Sequence, residues 1–215
     1  MAEELELGAA EEAERLLGDA EGFVSILDRV MKAMSDSGVP YLFAGGLASS
    51  VLGRYRHTAD IDILVHPNKA RETLTSLEKA GFETEETFPH WLFKARADAW
   101  VVDVLFRSSG DIYLDPEMVD RSVTGEYEGR QLQVVGPEDM IVMKGLAHAE
   151  ETPRHWFDAL GILGTCDIDW DYLVRRSRKG PARMLSLLAY ANSKDLPVPH
   201  SVLQDLLALT NPPRG

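Results

Sequence analysis

The stretch Ala44–Val65, AGGLASSVLGRYRHTADIDILV, decides how this 215-residue chain is read. It begins where the apolar run Tyr41-Leu42-Phe43-Ala44 ends, a run short enough for a buried strand. Gly45-Gly46 interrupts that strand, and Leu47 to Leu52 have the pattern of a short helix closed by Gly53. Glycine permits positive φ and close backbone approach, and a helix start directs N–H groups outward, so such a turn can cradle a triphosphate. Taken alone, the glycine pair fits a ligand-free strand–helix turn as well. Ser49 and Ser50 lie near enough to add hydroxyl donors, and Arg56 sits in the loop that follows.

Thirteen residues after Gly46 comes Asp60-Ile61-Asp62-Ile63, an acid–apolar alternation of strand type. Side chains two apart on a strand share a face, so Asp60 and Asp62 project together while Ile61 and Ile63 enter the core. Two carboxylates a few ångströms apart repel strongly in a partly buried site. Water, a shared proton or a divalent cation relieves that repulsion, and Mg²⁺ or Mn²⁺ accepts such oxygen donors. Asp103 repeats the theme, set among Val101, Val102, Val104 and Leu105. A lone buried carboxylate is costly. If its strand lies beside the first, three acids converge in the geometry for metal-assisted phosphoryl transfer; a structural ion pair with Arg107 is the alternative.

The remaining pattern places the site in an α/β (α+β) fold. Helical spacing runs from Phe23 to Met34, and Pro67–Ala80 reads as a helix closed by Gly81. Hairpins are expected around Pro89 and near Glu128-Gly129. Gly136-Pro137 marks a boundary, after which helices are predicted over 138–149, 154–163, 169–178, 181–192 and 199–209. The expected organisation is an acidic leader over 1–21, a small mixed-sheet core flanked by helices over 22–136, and a C-terminal helical region over 137–215.

The net charge is −13, but residues 1–21 hold eight acids and one base. The rest carries 27 acids against 21 bases. An acidic body repels phosphate chains, which disfavours general nucleic-acid binding while leaving tRNA open through a local basic patch. One cysteine, Cys166, permits no internal disulfide, and the six histidines lack metal-ligand spacing. The acidic N-terminus lacks a signal pattern and no run is apolar enough to span a bilayer, so a cytoplasmic location is expected.

The ordered set Ala44-Gly45-Gly46, spacer, Asp60-Ile61-Asp62-Ile63 and later Asp103 resembles the DNA polymerase β-type nucleotidyltransferase superfamily. The resemblance covers about residues 41–106. Gly46-Leu47-Ala48 with Arg56, Thr58 and the acidic strand is similar to stand-alone bacterial members, among them AbiEii/AbiGii-type toxins and aminoglycoside or lincosamide nucleotidyltransferases. Gly136 to Met140, then Lys144 and Asp158, is similar to a helix that often follows their catalytic domain. The resemblance implies Asp60, Asp62 and Asp103 as metal-binding catalytic acids and an NTP donor, whose nucleotide would be held by Gly45, Gly46, Ser49, Ser50, Arg56 and Lys144. It implies as acceptor a small hydroxylated molecule, tRNA or a protein, and hence a role in toxin–antitoxin biology or antibiotic resistance. Leu47 stands where other branches carry an immediate serine, which leaves the phosphate-gripping hydroxyl open. Lys144 can equally be a helix lysine reaching for solvent, and Asp158 reads as structural. The rival expectation is a catalytically silent nucleotide-binding or antitoxin-like interaction protein on the same scaffold.

Overall fold

The computed structural model describes residues 2–56 and 58–210, with side chains from residue 20 onward. Seven strands form one mixed sheet: β1 (Tyr41–Phe43), β2 (Asp60–Val65), β3 (Glu83–Phe88), β4 (Leu92–Ala97), β5 (Trp100–Leu105), β6 (Val123–Tyr127) and β7 (Arg130–Val134). Their order is β3-β4-β5-β2-β1-β7-β6. β2 and β5 are parallel neighbours, with Asp62 opposite Asp103 and Ile63 opposite Val104. β4 returns antiparallel to β5 and places Lys94 opposite Asp103. Alternation then sends Ile61, Ile63, Val102 and Val104 fully into the core and leaves the acids on the other face.

Helix α1 spans Ala2–Ser37 and continues through residue 21 without a break. The side chains of most of the acidic leader lie outside the described residues. From residue 23 onward α1 buries Phe23, Ile26, Leu27, Val30 and Met34. It packs against α3 (Ala70–Lys79), which covers the face of β3, β4 and β5 away from the acids. A 3-10 turn over Pro67–Lys69 precedes α3, so the expected single helix from Pro67 is two pieces. α2 (Gly45–Val51) starts two residues earlier than its composition suggested, because Gly45 itself, at φ +56°, makes the turn.

A short helix, α4 (Pro116–Asp120), was not expected from the sequence, although its Asp115 caps Met118 N–H and Pro116 opens the first turn. The C-terminal part is helical: α5 (Pro137–Ala147), α6 (Arg154–Thr165), α7 (Trp170–Arg176), α8 (Pro181–Asn192) and α9 (His200–Thr210). α5 is the central one, buried from Glu138 to Leu146. The fully buried Tyr172 of α7 donates its hydroxyl to Asp139 of α5 at 2.6 Å, and Arg176 donates to the other oxygen of that carboxylate. Phe157, expected to pack between helices, is 58% exposed. Among the described residues no helix is long and apolar enough to cross a membrane.

Candidate active site

Strand register brings Asp60, Asp62 and Asp103 together. One carboxylate oxygen of each lies within 4.8 Å of the others. They line a cleft of about 650 Å³ together with Gly45, Arg56, Trp91, the 105–111 segment, Met140, Met143, Lys144, Arg154 and His155. The cleft wall opposite the sheet is therefore the apolar face of α5.

Charge crowding is most acute at Asp62. Burial, then the neighbouring Asp60 and Asp103 carboxylates, push its carboxyl up to about 7, against the pull of the Lys144 ammonium and the Gly46 N–H. Asp60 is steadied by Thr58, whose hydroxyl donates to it at 2.7 Å. Asp103 accepts from Lys94 at 2.6 Å. Arg107, the partner weighed from sequence, instead donates to Asp111 at 2.6 Å. Three oxygen donors around one point, one of them holding a proton that a cation would displace, fit Mg²⁺ or Mn²⁺.

The glycine pair has a steric reason. A Cβ on Gly45 would fall 1.6 Å from Asp62 Oδ2, and one on Gly46 would fall 2.3 Å from Thr58 Oγ1. The turn thus lies directly against the acids, which a ligand-free strand–helix turn does not require. Gly45→Ala is expected to lower any metal-dependent transfer by about a hundredfold, since displacing a reacting group by an ångström has that cost. Its positive φ adds about 1–2 kcal/mol of destabilisation. A transfer assay beside a thermal melt checks both, and wild-type activity in the variant would show that Asp62 tolerates the shift.

The serines are placed differently from the expectation. Ser49 is fully buried and donates to Gly45 C=O at 2.8 Å, while Ser50 donates to Gly46 C=O at 3.0 Å. Both hydroxyls are turned back into α2, as serines in helices often are, and neither lines the cleft. Arg56 and Lys144 do line it. They converge on one oxygen of Asp158, from Arg56 Nε at 3.2 Å and Lys144 Nζ at 2.9 Å. Asp158, 1% exposed, is the bracket that fixes two cations beside the acids. Sequence reading gave it no site role, because its partners lie 14 and 102 residues away.

Thr58, Lys94, Trp91, Arg154 and His155 were not singled out as site residues. Lys94 had a signal: the β4–β5 turn at Asp98, with φ +55°, sets Lys94 opposite Asp103 by counting alone. His155 is held neutral, its imidazole lowered to about 4 by burial and by the Lys144 and Arg154 charges.

This combination of mixed sheet, glycine turn and three-carboxylate cluster belongs to the DNA polymerase β-type nucleotidyltransferase superfamily, of which the chain is a divergent member. The model of a family described as uncharacterised nucleotidyltransferase matches residues 8–196, and the chain belongs to that family. No curated protein matches it. Among solved structures it is similar to a solution structure of the antibiotic-resistance factor ANT(2'')-Ia, at 17% identity and a TM-score of 0.54 over 81% of this chain and 94% of that one. It is also similar to a crystal structure of ANT(2'')-Ia in complex with adenylyl-2''-tobramycin, at 19% identity and a TM-score of 0.53 over 81% and 99%. At these identities the likeness is one of fold.

Proposed function

We propose that the chain transfers a nucleoside monophosphate from an NTP to a hydroxyl acceptor and releases pyrophosphate. The observation that carries the proposal is the convergence of Asp60, Asp62 and Asp103 from two parallel strands at the floor of one cleft. Mg²⁺ or Mn²⁺ held by these acids supplies charge neutralisation at the phosphates and lowers the acceptor hydroxyl's pKa. Arg56 and Lys144, braced by Asp158, offer positive charge to the triphosphate. Gly45 keeps the backbone clear so that the phosphates reach the acids. Asp103, on the side away from the glycine turn, takes the acceptor's proton, and Lys94 keeps it ionised for that role.

The acceptor is a small hydroxylated, cationic molecule. The protein is acidic overall, and the cleft lining sets Asp60, Asp62, Asp103 and Asp111 against Arg56, Arg107, Lys144 and Arg154, so no surplus of positive charge draws in a nucleic acid. The description of ANT(2'')-Ia as an antibiotic-resistance factor, seen with an adenylylated aminoglycoside, supports the same class.

Incubation of the purified protein with Mg²⁺, each α-³²P-labelled NTP and fractionated cell extract tests the proposal. Label appears in a small-molecule fraction with stoichiometric pyrophosphate. Absence of label in every fraction, with no nucleotide binding by calorimetry, would leave the silent scaffold as the better reading.

A further inference from the structure

We infer that Trp91 is the seat of the acceptor, stacking a cationic, hydroxylated ring beside Asp103. The inference rests on the transferase reading for the direction from which the acceptor enters. The strand order β4-β5-β2-β1 puts the glycine turn that follows β1 on one side of the acids and β4 on the other. Displacement at phosphorus is roughly in line, so the attacking hydroxyl stands opposite the departing pyrophosphate. With the triphosphate tail against Gly45, Arg56 and Lys144, the acceptor comes from the β4 side.

Strand register shows what waits there. Across the sheet, Glu85, Lys94, Asp103 and Asp62 form one row on the cleft face. The next row on that face is Phe88, Leu92, Leu105 and Leu64. The rows are two residues apart, about 7 Å along the strands, a spacing that suits a six-membered ring with its substituents. Over the second row Phe88 and Trp91 stack with ring centroids 5.3 Å apart and an interplanar angle of 17°. They stay 47% and 42% exposed, although most large aromatics in this chain are covered. Trp91 reaches the cleft and Phe88 backs it.

The indole is held in place rather than left on a loose loop. Trp91 N–H donates to Phe88 C=O, and Trp91 C=O accepts from Phe106 N–H, both at 3.0 Å. The β3–β4 register shift between Glu85 and Phe88 turns the hairpin tip at this point. An aromatic face attracts the C–H edges of a saturated ring and, more strongly, an adjoining ammonium group. Glu85 stands on the same face, and Asp111 lines the cleft on the 107–111 loop. Lys94 and Arg107, the cations of this side, are already engaged by Asp103 and Asp111. The surroundings thus select for positive charge on the ring.

Ligand-observed NMR and calorimetry test this with wild type, Trp91→Ala and Trp91→Phe in the presence of Mg²⁺ and a non-hydrolysable ATP analogue. The probes are glucosamine as a cationic hydroxylated ring and glucose as its neutral counterpart. Glucosamine binds wild type more tightly than glucose does. Trp91→Ala weakens it about tenfold, Trp91→Phe retains most of the affinity, and affinity for the nucleotide stays within about twofold in both. If Trp91→Ala weakens the nucleotide instead, the indole stacks the donor base and the acceptor assignment is overturned. Unchanged glucosamine affinity in Trp91→Ala, or no glucosamine binding by a wild type that binds the nucleotide, overturns it too. A wild type that binds no nucleotide fails at the earlier step, in the transferase reading itself.

Discussion

Asp62→Asn is expected to reduce nucleotidyl transfer by about 10³-fold or more while making the metal-free protein more stable. The loss follows from removing one of three oxygen ligands at the reacting phosphate, where electrostatic stabilisation is concentrated. The gain follows from the crowding of Asp62 by burial and by Asp60 and Asp103. Its carboxyl binds a proton at about 7 when folded and at the model value of 3.8 when unfolded. Folding therefore takes up a proton between those values, and the stability this proton confers is lost as pH rises through about 7. Asparagine carries no such proton, so the variant lacks that slope. At pH 8 it should exceed wild type by on the order of 2–4 kcal/mol without metal. Millimolar Mg²⁺ reverses the ranking, because only wild type gains from binding it. Urea denaturation at pH 5 and pH 8, with and without Mg²⁺, reads all four corners. An Asp62→Asn protein as active as wild type would end the metal-site reading; one less stable at pH 8 would show that the carboxylate is not strained.

The second large effect concerns Asp158. Its side chain is 1% exposed, and Lys144, its partner at 2.9 Å, is 7% exposed. Removing one member of a buried pair leaves the other as an uncompensated charge, at a cost of about 3–5 kcal/mol. Asp158→Ala is therefore expected to destabilise the protein by about that amount, with Arg56 losing its brace as well. Adding Lys144→Met to Asp158→Ala should restore most of the stability, since the stranded ammonium is gone. Activity should not return, because the positive charge facing the triphosphate is gone too. Denaturation midpoints of the two single variants and the double variant form the cycle that checks this. A single-variant cost below about 1 kcal/mol would show that water replaces the carboxylate.

Much of this architecture can be read from residue order. The acid–apolar alternation at Asp60–Ile63 and around Asp103 identifies both strands and the face each acid takes, because a period of two leaves no other choice. The pairing of those strands requires a parallel crossover through residues 66–99, and periodicity says nothing about which strands become neighbours. Hydroxyl direction is likewise hidden. Ser49 and Ser50 have the right position for phosphate donors, yet their oxygens find helix carbonyls one turn back. Asp158 is the clearest omission: a single acid among Trp156, Phe157, Ala159 and Leu160 carries no local sign that a lysine and an arginine from two other elements will close on it. α4 was missed although Asp115-Pro116-Glu117 carries a helix-start signature, because only five residues follow the cap.

The side-by-side alignment of β2 and β5 also sets where the chain tolerates a change of length. One residue inserted between Trp100 and Asp103 would rotate the third carboxylate into the layer beneath α3. Two would return it to the correct face but shift it about 7 Å from Asp62, too far to share an ion. Insertions in the tip between Phe88 and Leu92 or in the segment before α4 leave that frame untouched. Natural length variation in related chains should therefore collect at those tips and spare the six residues of each acidic strand.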